Sequence, residues 1–400
     1  MGTSIIIFSG SYPFEKGETF LANEVHVLSQ EYDRVYVVCS ARGSGQYWQV
    51  PDNAVVVRAR DLKAGGAISY GQMWWLLVLD VISGQTPWAS IRENTALLKD
   101  KFKLASKVAA FISSEQINDS IFYSYWFDDW ATVLAILKDK GLVHSFISRV
   151  HRFDLFEELR PMARIPFRGF QLKHVTQVYS VSEVGTQYLK NKYPRYAHKF
   201  ETAYLGTEDC GENPLDKEVF HVVSCSNLVP VKRVELIVSA VKKMQNVRWT
   251  HFGDGKLRPA LEQMAQEAMQ RNPSIHITFK GHVKNVDVMR YYEKNPVSVF
   301  INVSSSEGLP VSIMEAASFG IPIVATDVGG TREIVNKETG VLISSEPDVN
   351  EIIHALNQVR DEFDTPEKRN DVRRFWQNHF VAEKNYRSFV VELNQRSSHE

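Results

Sequence analysis

The stretch from Val297 to Ala325 constrains the fold of this chain more than any other. It begins with a β-branched apolar run, Val297 to Val303, which predicts a strand buried on both faces of a parallel sheet. A polar loop follows, and Ile313 to Phe319 then carry apolar residues at helical spacing. Gly320 suits the position just after a helix end, and Ile321 to Ala325 predict the next strand. This order of elements is typical of an α/β fold.

The loop between that strand and that helix predicts an anion site. A helix start carries N–H groups without partners and a partial positive charge, which favour a phosphate or diphosphate. Two carboxylates frame the site, since Glu307 lies in the loop and Glu315 on the helix, with seven residues between them. Either both accept hydrogen bonds from sugar hydroxyls beside a diphosphate, or Glu307 is a turn acid and Glu315 a solvated helix residue. The residues at the helix start are Gly308, Leu309, Pro310 and Val311.

This stretch resembles the Glu-x7-Glu motif of the large family-four group of retaining GT-B glycosyltransferases. The residues at 329–331 (GGT), followed by Arg332 to Val335, match the next block of that family. The resemblance covers most of the C-terminal half of the chain and extends more loosely over the N-terminal half. It implies an α/β protein of the GT-B class, with two Rossmann-like doubly wound domains that face each other across a cleft.

The same resemblance implies a hexosyltransferase. Its donor substrate is a nucleotide diphosphate sugar, with a UDP-sugar favoured, and its acceptor is a saccharide or a lipid-linked molecule. Transfer would retain the anomeric configuration, use no cofactor and serve bacterial surface polysaccharide biosynthesis. In the family roles, Glu307 binds donor-sugar hydroxyls near the reacting face and Glu315 binds the ribose. No metal is expected, because no Asp-x-Asp pair is placed to hold one and Asp128-Asp129 begins a helix.

Composition narrows the class of protein further. A chain of 400 residues suits two domains of moderate size. The formal net charge of −1 argues against a nucleic-acid partner. Cys39, Cys210 and Cys225 are far apart and predict reduced thiols. The longest apolar run, Met73 to Leu79, is far shorter than a membrane span, so we expect a cytoplasmic protein.

Polar, turn-rich segments suggest the domain boundaries. Residues 1–207 are predicted to form an N-terminal acceptor-side domain, and residues 208–217 a linker. Residues 218–372 are predicted to form the C-terminal nucleotide-sugar-binding domain. Residues 373–400 have the pattern of amphipathic terminal helices, which in this fold pack back toward the N-terminal domain.

The first predicted strand, Ile5 to Phe8, runs into a loop of small residues. A loop at the carboxyl edge of an open parallel sheet lies where ligands bind. By resemblance, Gly10, Ser11 and Glu18 border the cleft on its acceptor side. A plain connection between strand and helix is the other interpretation.

A second candidate follows the predicted strand from Phe146 to Val150, which ends at His151. The block resembles the His-x-x-Asp segment of the family, whose histidine approaches the reacting sugar. This resemblance makes His151 a candidate catalytic residue, while a purely structural histidine is the alternative. Asp154 is also placed to cap the helix that follows.

Two segments are candidates for contact with a lipid. The basic and aromatic segment from Arg160 to Lys173 suits an anionic acceptor such as a pyrophosphate-linked lipid, or peripheral contact with the inner face of the membrane. A solvated loop is the alternative interpretation of that segment. Trp74 and Trp75 also suit a lipid interface, but packing in the core or between domains is favoured.

The predicted nucleotide-binding domain supplies a cation. Lys232 lies just before a helix start and suits a side chain that reaches a diphosphate. The family usually has an arginine five positions before this lysine, where this chain has Asn227. Arg233 is a candidate substitute for that missing cation. The later loops supply the further donor-site candidates Gly253, His282 and Val283, the last two lying where the family meets the nucleobase through backbone groups.

Alternatives from other classes stay open. A GT-B nucleotide-sugar epimerase would interconvert the donor without any acceptor. A phosphorylase of the pyridoxal type would need a cofactor lysine, which nothing in the sequence marks. A non-catalytic sugar-nucleotide-binding partner is the third alternative, and Asn227 in place of arginine keeps it open.

Overall fold

The computed structural model describes residues 4–15, 18–43, 45–63, 65–66, 68, 71–82, 90–160, 163–216 and 218–397. Several predicted segments fall partly outside these ranges. Examples are Lys217 of the predicted linker, Pro161 and Met162 of the basic segment, and residues 398–400 of the predicted terminal helices. Among the described residues, no helix combines the length and the apolar character that crossing a membrane requires.

The chain divides into two compact units. The first contains Met1–Ala203 and Tyr386–Glu400, and the second contains Tyr204–Asn385. Residues 373–385, which the sequence grouped with helices packing toward the first domain, thus belong to the second unit. The physical reason is local, because the buried Trp376 donates its indole N–H to the hydroxyl of Thr207 over 2.8 Å within that unit.

The first unit is built on a sheet of seven parallel strands in the order β3-β2-β1-β4-β5-β6-β7. The strands are β1 (Ser4–Ser9), β2 (Arg34–Cys39), β3 (Ala54–Arg58), β4 (Ile121–Ser124), β5 (Ile147–Val150), β6 (Gln177–Ser180) and β7 (Phe200–Thr202). The helices are α1 (Thr19–Glu31), α2 (Gly71–Ile82), α3 (Ile91–Glu115), α4 (Asp129–Asp139), α5 (Arg152–Leu155), α6 (Arg168–His174) and α7 (Glu183–Lys192). The strand order reverses between β1 and β4.

Both faces of this sheet are buried. Ile6 and Phe8 of β1 point to one face, where they join a core that includes residues of α3 and α4. Ile5 and Ile7 point to the other face, where their core includes residues of α1 and Phe389. Alternation of side chains along a strand explains how one apolar run fills two layers.

The second unit repeats this plan with six parallel strands in the order β10-β9-β8-β11-β12-β13. The strands are β8 (Phe220–Cys225), β9 (Val247–Phe252), β10 (Ile275–Phe279), β11 (Val299–Asn302), β12 (Ile323–Thr326) and β13 (Gly340–Ile343). The helices are α8 (Val234–Val241), α9 (Arg258–Arg271), α10 (Asn285–Lys294), α11 (Val311–Ser318), α12 (Val349–Gln358) and α13 (Pro366–His379). A last helix, α14 (Ala382–Ser397), begins in this unit and ends in the first. Here the strand order reverses between β8 and β11.

The stretch from Val297 to Ala325 folds as predicted. The strand β11, the helix α11 and the strand β12 follow one another there. Gly320 has a φ of +74°, and a Cβ at that position would lie 2.8 Å from the carbonyl oxygen of Arg369. Only glycine meets both conditions without strain, which explains why α11 ends where it does.

The two tryptophans of α2 differ from the favoured expectation. Trp74 is 58% exposed and Trp75 is 66% exposed, so the prediction that they pack in a core is wrong. The buried side of α2 is instead formed by Met73 and Leu77, which pack in the core of the first unit. A helix at the surface of a core buries one stripe of its side chains, and in α2 these two smaller side chains form that stripe.

Candidate functional site

The two central strands of the second sheet bring two predicted side chains together. Adjacent strands β8 and β11 end at Cys225 and Asn302, at the point where the strand order reverses. Ligands of open α/β sheets bind outside the carboxyl ends of the strands at such a point. The loop after β8 supplies Lys232, and the loop after β11 supplies Glu307. The Nζ atom of Lys232 lies 2.5 Å from Oε1 of Glu307.

The same carboxylate oxygen has a second donor. The side-chain amide of Asn302 donates to Oε1 of Glu307 over 3.2 Å. The side chain of Glu307 is 10% exposed and that of Lys232 is 23% exposed, so this ion pair is largely shielded from water. A shielded carboxylate next to an ammonium and an amide is held in one position, which suits a group that must recognise a ligand.

The glycines at 329 and 330 set the path of the Glu307 loop. A Cβ on Gly329 would lie 2.0 Å from the carbonyl oxygen of Glu307, and this glycine has a φ of +53°. The backbone N–H of Gly330 donates to the carbonyl of Gly308 over 2.6 Å. Gly329 and Gly330 therefore pack against the backbone of the Glu307 loop, and no larger residue fits at Gly329.

The start of α11 offers backbone donors. Pro310 precedes the helix, and its side chain does not cap the first N–H groups of α11. Leu309 and Pro310 are buried, and Val311 is half-buried. An uncapped helix start has N–H groups and a partial positive charge available for an anion. The helix begins four residues beyond Glu307, directly after the loop that carries the ion pair.

The second carboxylate of the motif has a different environment. Glu315 is half-buried on α11 and accepts a hydrogen bond of 2.7 Å from the side-chain amide of Asn285. Burial raises the pKa of Glu315 to about 7, and the Asn285 bond opposes this rise. Burial raises the pKa of Cys225 to about 12, with the charge of Glu315 adding to the rise and Lys232 opposing it. Glu315 therefore lies near the carboxyl end of β8, and it is not a fully solvated helix residue.

The loops after β8, β9 and β10 are packed against one another. A Cβ on Gly253, which has a φ of +136°, would lie 1.8 Å from the carbonyl oxygen of Ser226. The N–H of Gly253 also donates to the carbonyl of Gly281 over 2.9 Å. The other donor-site candidates come directly after these contacting residues in the chain. Asn227 and His282 are exposed, and Val283 is half-buried.

The expectation that Arg233 replaces the missing arginine is not supported by its contacts. Its guanidinium donates to the carbonyls of Val303, Ser304 and Ser345 over 2.8, 3.0 and 2.7 Å, and to the carboxylate of Glu346 over 2.7 Å. These bonds tie the loop after β8 to the loops after β11 and β13. Each nitrogen of the Arg233 guanidinium therefore has a partner within its own unit.

The first unit shows a corresponding loop after β1. The carboxylate of Glu18 accepts hydrogen bonds from the backbone N–H groups of Gly10, Ser11 and Tyr12 over 2.8, 2.7 and 2.6 Å. The hydroxyl of Ser11 and the indole N–H of Trp126 donate to it as well. Gly10, Ser11 and Glu18 thus lie together, and the carboxylate is engaged by its own loop. Its role here is to organise that loop.

His151 lies beyond the end of β5 between two aromatic rings. Its ring centroid is 4.7 Å from that of Tyr125 and 4.7 Å from that of Trp126. Its Nε2 atom is shielded from solvent and has no hydrogen-bond partner within the described ranges. Burial lowers the pKa of His151 to about 3, and the charge of Arg149 lowers it further. The imidazole is therefore neutral near pH 7, with one ring nitrogen left for another partner.

Asp154 links His151 to the loop after β4. Its carboxylate accepts a hydrogen bond of 2.8 Å from the backbone N–H of His151 and another from the N–H of Phe127. Burial raises the pKa of Asp154 to about 7, and the charge of Asp128 adds to the rise. Asp154 fixes the backbone around His151, so it does more than cap the helix α5.

The alternative interpretation of Arg160 to Lys173 as a solvated loop is in part wrong. Arg168 is only 2% exposed, and it donates to the carbonyl of Asp154 over 2.7 Å and to Gln171 over 3.0 Å. The segment ends in α6.

In the part of the chain that the structure describes, no group of three or more His, Cys, Asp or Glu side chains is placed to hold a metal ion.

Comparison with known proteins identifies the family of the second unit. Residues 207–375 match the family model described as Glycosyl transferases group 1. This segment is a group 1 glycosyltransferase domain. It contains Lys232, Glu307 and Glu315, and the family resemblance stated from the sequence is confirmed.

Curated relatives of this domain carry several names. The GtfA subunit of UDP-N-acetylglucosamine–peptide N-acetylglucosaminyltransferase from Streptococcus pneumoniae is 25% identical over 176 residues, or 42% of this chain and 32% of that protein. The O-antigen biosynthesis glycosyltransferase WbnH from Escherichia coli is 28% identical over 155 residues, or 39% of this chain and 41% of that protein. This chain therefore spans less than half the length of these relatives.

A solved structure shows that the likeness in fold extends beyond the group 1 domain. Anabaena HepE in complex with UDP has a TM-score of 0.71 to this protein, at 15% identity, over 98% of this chain and 100% of that chain. An identity this low establishes the fold alone. The predicted GT-B fold class, α/β with two Rossmann-like sheets, is confirmed.

The structure also adds residues that the sequence analysis missed. Asn302 and Asn285 bond to the two carboxylates of the group 1 domain, and Tyr125 and Trp126 flank His151. Asn302 gave a signal, because it is an amide at the end of an otherwise apolar strand. The partners of Glu315 and His151 gave none, since they come from distant positions in the chain.

Proposed function

We propose that this protein is a retaining, metal-independent hexosyltransferase that uses a nucleotide diphosphate sugar, with a UDP-sugar favoured. One observation carries the proposal above the others. It is the ion pair of Lys232 and Glu307 beside the uncapped start of α11, at the point where the strand order of the second sheet reverses. A cation, a carboxylate and a row of backbone donors are what a sugar diphosphate requires.

The ion pair has to change partners for the reaction to proceed. A diphosphate near the start of α11 attracts Lys232 away from Glu307, since two phosphates carry more charge than one carboxylate. Glu307 then accepts hydrogen bonds from hydroxyls of the donor sugar while Asn302 keeps it in position. Lys232 and the backbone N–H groups stabilise the charge that develops on the departing diphosphate. Asn227 supplies no second cation, so fewer groups stabilise the charge on the departing diphosphate.

The rest of the nucleotide is assigned to the neighbouring loops. Glu315 lies near the end of β8 and accepts hydrogen bonds from the ribose in this proposal. Gly253, His282 and Val283 lie on packed loops whose backbone groups suit a nucleobase. Backbone contacts carry little information about the base, so the preference for uridine rests on relatives whose names or complexes contain UDP.

His151 is assigned to the reacting sugar by its family resemblance. As a neutral imidazole it offers the sugar one ring nitrogen for a hydrogen bond, and it carries no charge that would oppose an oxocarbenium-like centre. In the front-face mechanism considered for retention, an oxygen of the leaving phosphate takes the proton of the acceptor. No side chain has to serve as a general base.

The acceptor is proposed to be a saccharide or a lipid-linked molecule in bacterial surface polysaccharide biosynthesis. WbnH, which is named for O-antigen biosynthesis, supports this assignment. The setting that fits it is the cytoplasm, with peripheral contact at the inner face of the membrane. The two exposed tryptophans of α2 are consistent with such contact.

Calorimetry with free nucleotides tests the donor site. UDP, GDP and ADP are titrated into the protein with EDTA present, and each titration is repeated with the matching nucleotide sugar. We expect UDP to bind without added metal, and UDP-sugars to be hydrolysed slowly or transferred. Binding of UDP only after Mg²⁺ is added would contradict metal independence. If no nucleotide binds under either condition, the proposed reaction is wrong.

A further inference from the structure

The first unit contains a cavity that the proposed donor site does not use. Its volume is about 400 Å³, and it lies between α3, the start of α4 and the segment that follows α5. The strands β4 and β5 end just before α4 and α5, at the carboxyl edge of the sheet. This is the edge that also carries His151.

The charged groups of the cavity are unequal in number. Nζ of Lys101 lies 2.7 Å from the carboxylate of Asp129, and a guanidinium nitrogen of Arg160 lies 3.0 Å from that of Asp128. Within each pair, the positive and the negative charge cancel. Arg164 is the fifth charged side chain in the lining, and it adds one positive charge that the other four do not neutralise.

Arg164 has an unusual environment for a cation. All three nitrogens of its guanidinium are shielded from solvent, and none of them has a hydrogen-bond partner among the residues that the structure describes. An arginine does not lose its proton in proteins, so this group keeps its charge. A shielded charge without a partner is costly, and an anion that enters the cavity relieves that cost.

The remaining walls of the cavity are apolar. They include Leu97 of α3, Ile165 and Phe167 of the segment beside Arg164, and Phe153 of α5. Phe153 is 56% exposed, and its ring centroid is 3.7 Å from the guanidinium carbon of Arg160. A ligand that fits both kinds of wall carries an anionic group at one end and an apolar group at the other.

We propose that this cavity binds a phosphoryl group attached to an apolar chain, as the anionic end of the acceptor. The lining holds three cations and two carboxylates, so one positive charge is left for an anionic group. The fork of the Arg164 guanidinium matches two oxygens of a phosphoryl group. Arg164 is the primary partner, while Arg160 and Lys101 line the same cavity. The assignment to the acceptor rests on the proposed glycosyl transfer, whereas binding of the phosphoryl group does not.

Hexyl phosphate is a probe with both required ends. Its affinity is measured by calorimetry for the full chain, for Arg164→Gln and for Arg195→Gln, which alters an exposed arginine of the first unit outside the cavity. Hexanol, inorganic phosphate and hexanoate separate the contributions of the chain, the phosphate and the charge. We expect hexyl phosphate to bind best, and Arg164→Gln to weaken it about ten- to hundred-fold, as for one lost charge-assisted pair. Arg195→Gln should bind as the unaltered protein does.

Thermal unfolding and UDP binding distinguish a ligand-binding arginine from a structural one. Arg164→Gln removes a charge that has no partner among the described residues, so its melting temperature should be unchanged or higher, and UDP should bind as before. A clearly lower melting temperature would indicate a structural arginine and overturn the proposal. Equal binding of hexyl phosphate to Arg164→Gln and the unaltered protein would overturn it as well.

The remaining outcomes separate the ligand class from the proposed transfer. If hexanoate or inorganic phosphate binds as tightly as hexyl phosphate, the ligand class is wrong. If the unaltered protein does not bind UDP, the proposed transfer is contradicted, but the proposed phosphoryl site is not.

Discussion

The two sheets of this protein reverse their strand order in the same way, but the carboxylates at the two reversal points have different partners. Glu18, in the loop after β1, accepts hydrogen bonds from three backbone N–H groups, a hydroxyl and an indole. Glu307, in the loop after β11, accepts from the ammonium of Lys232 and the amide of Asn302. The first set of donors is neutral and mostly backbone, while the second consists of side chains.

This difference distinguishes a carboxylate that is held by its own loop from one that we propose binds a ligand. The backbone donors around Glu18 cannot turn to another partner without unfolding the loop. Lys232 has a long flexible side chain, and it can leave Glu307 for a diphosphate while Asn302 holds the carboxylate in place. A position at a reversal point is therefore insufficient to identify a ligand group, and the mobility of its partners has to be considered as well.

The largest expected effect is on turnover, from Lys232→Ala. Removing one preorganised charge donor at such a site costs about 3–4 kcal/mol, or about 10²–10³ in rate. We expect kcat for glycosyl transfer or donor hydrolysis to fall by that factor, while circular dichroism shows a folded protein. Lys243→Ala is the matched control, because Lys243 is an exposed lysine of the same unit. Turnover unchanged by Lys232→Ala would remove this lysine from the mechanism and would make the two reversal points equivalent.

The next effect is on stability, from Glu18→Gln. The amide cannot accept all the hydrogen bonds that the carboxylate accepts, and it leaves shielded N–H groups without partners. We expect a loss of about 3 kcal/mol from the free energy of unfolding, measured by denaturant titration. UDP affinity should not change, since that site is assigned to the second unit. Glu15→Gln is the control at a nearby exposed position. A stable Glu18→Gln protein that has lost transfer activity would show that Glu18 contacts a substrate.

The smallest effect concerns Glu315, the other carboxylate of the motif. Glu315→Gln should weaken UDP-glucose binding about tenfold and change turnover less, because one hydrogen bond to the ribose is lost. Glu293→Gln is the control, as an exposed acid on α10. Equal affinities of the unaltered and Glu315→Gln proteins for UDP-glucose would contradict the ribose role.

The raised pKa of Glu315 adds a pH dependence to that test. Burial raises this pKa from 4.5 to about 7, so the folded protein holds a proton that the unfolded chain releases. The stability that this proton contributes is present in full below pH 4.5 and is lost as the pH rises through 7. Melting temperatures at about pH 5 and about pH 8 should therefore differ less for Glu315→Gln than for the unaltered protein. An unchanged pH dependence in Glu315→Gln would show that another group is responsible.

Much of the second unit was predictable from local sequence patterns. The strand β11, the helix α11 and the end of that helix at Gly320 followed from apolar periodicity and one glycine. The sequence also placed Lys232 and Glu307 in loops at strand ends. It did not predict that Arg233 would bond to four groups, because those partners come from segments that are distant in the chain.

The first unit was predicted less well, for a related reason. Packing in the core or between domains was favoured for Trp74 and Trp75, but an apolar run alone does not show which of its side chains are buried. The engagement of Glu18 also escaped prediction. Five donors converge on it, and the indole of Trp126 comes from a loop more than a hundred residues away.

The sequence by itself determined the order of strands and helices, the α/β class and the residues of the group 1 motif. These features depend on side-chain periodicity and on residues close in the chain. Only the tertiary structure decided which charges are paired and which are not, as the contrast between Arg233 and Arg164 shows. Charge pairing depends on distances between residues far apart in sequence, and on how completely the packed fold removes water from between them.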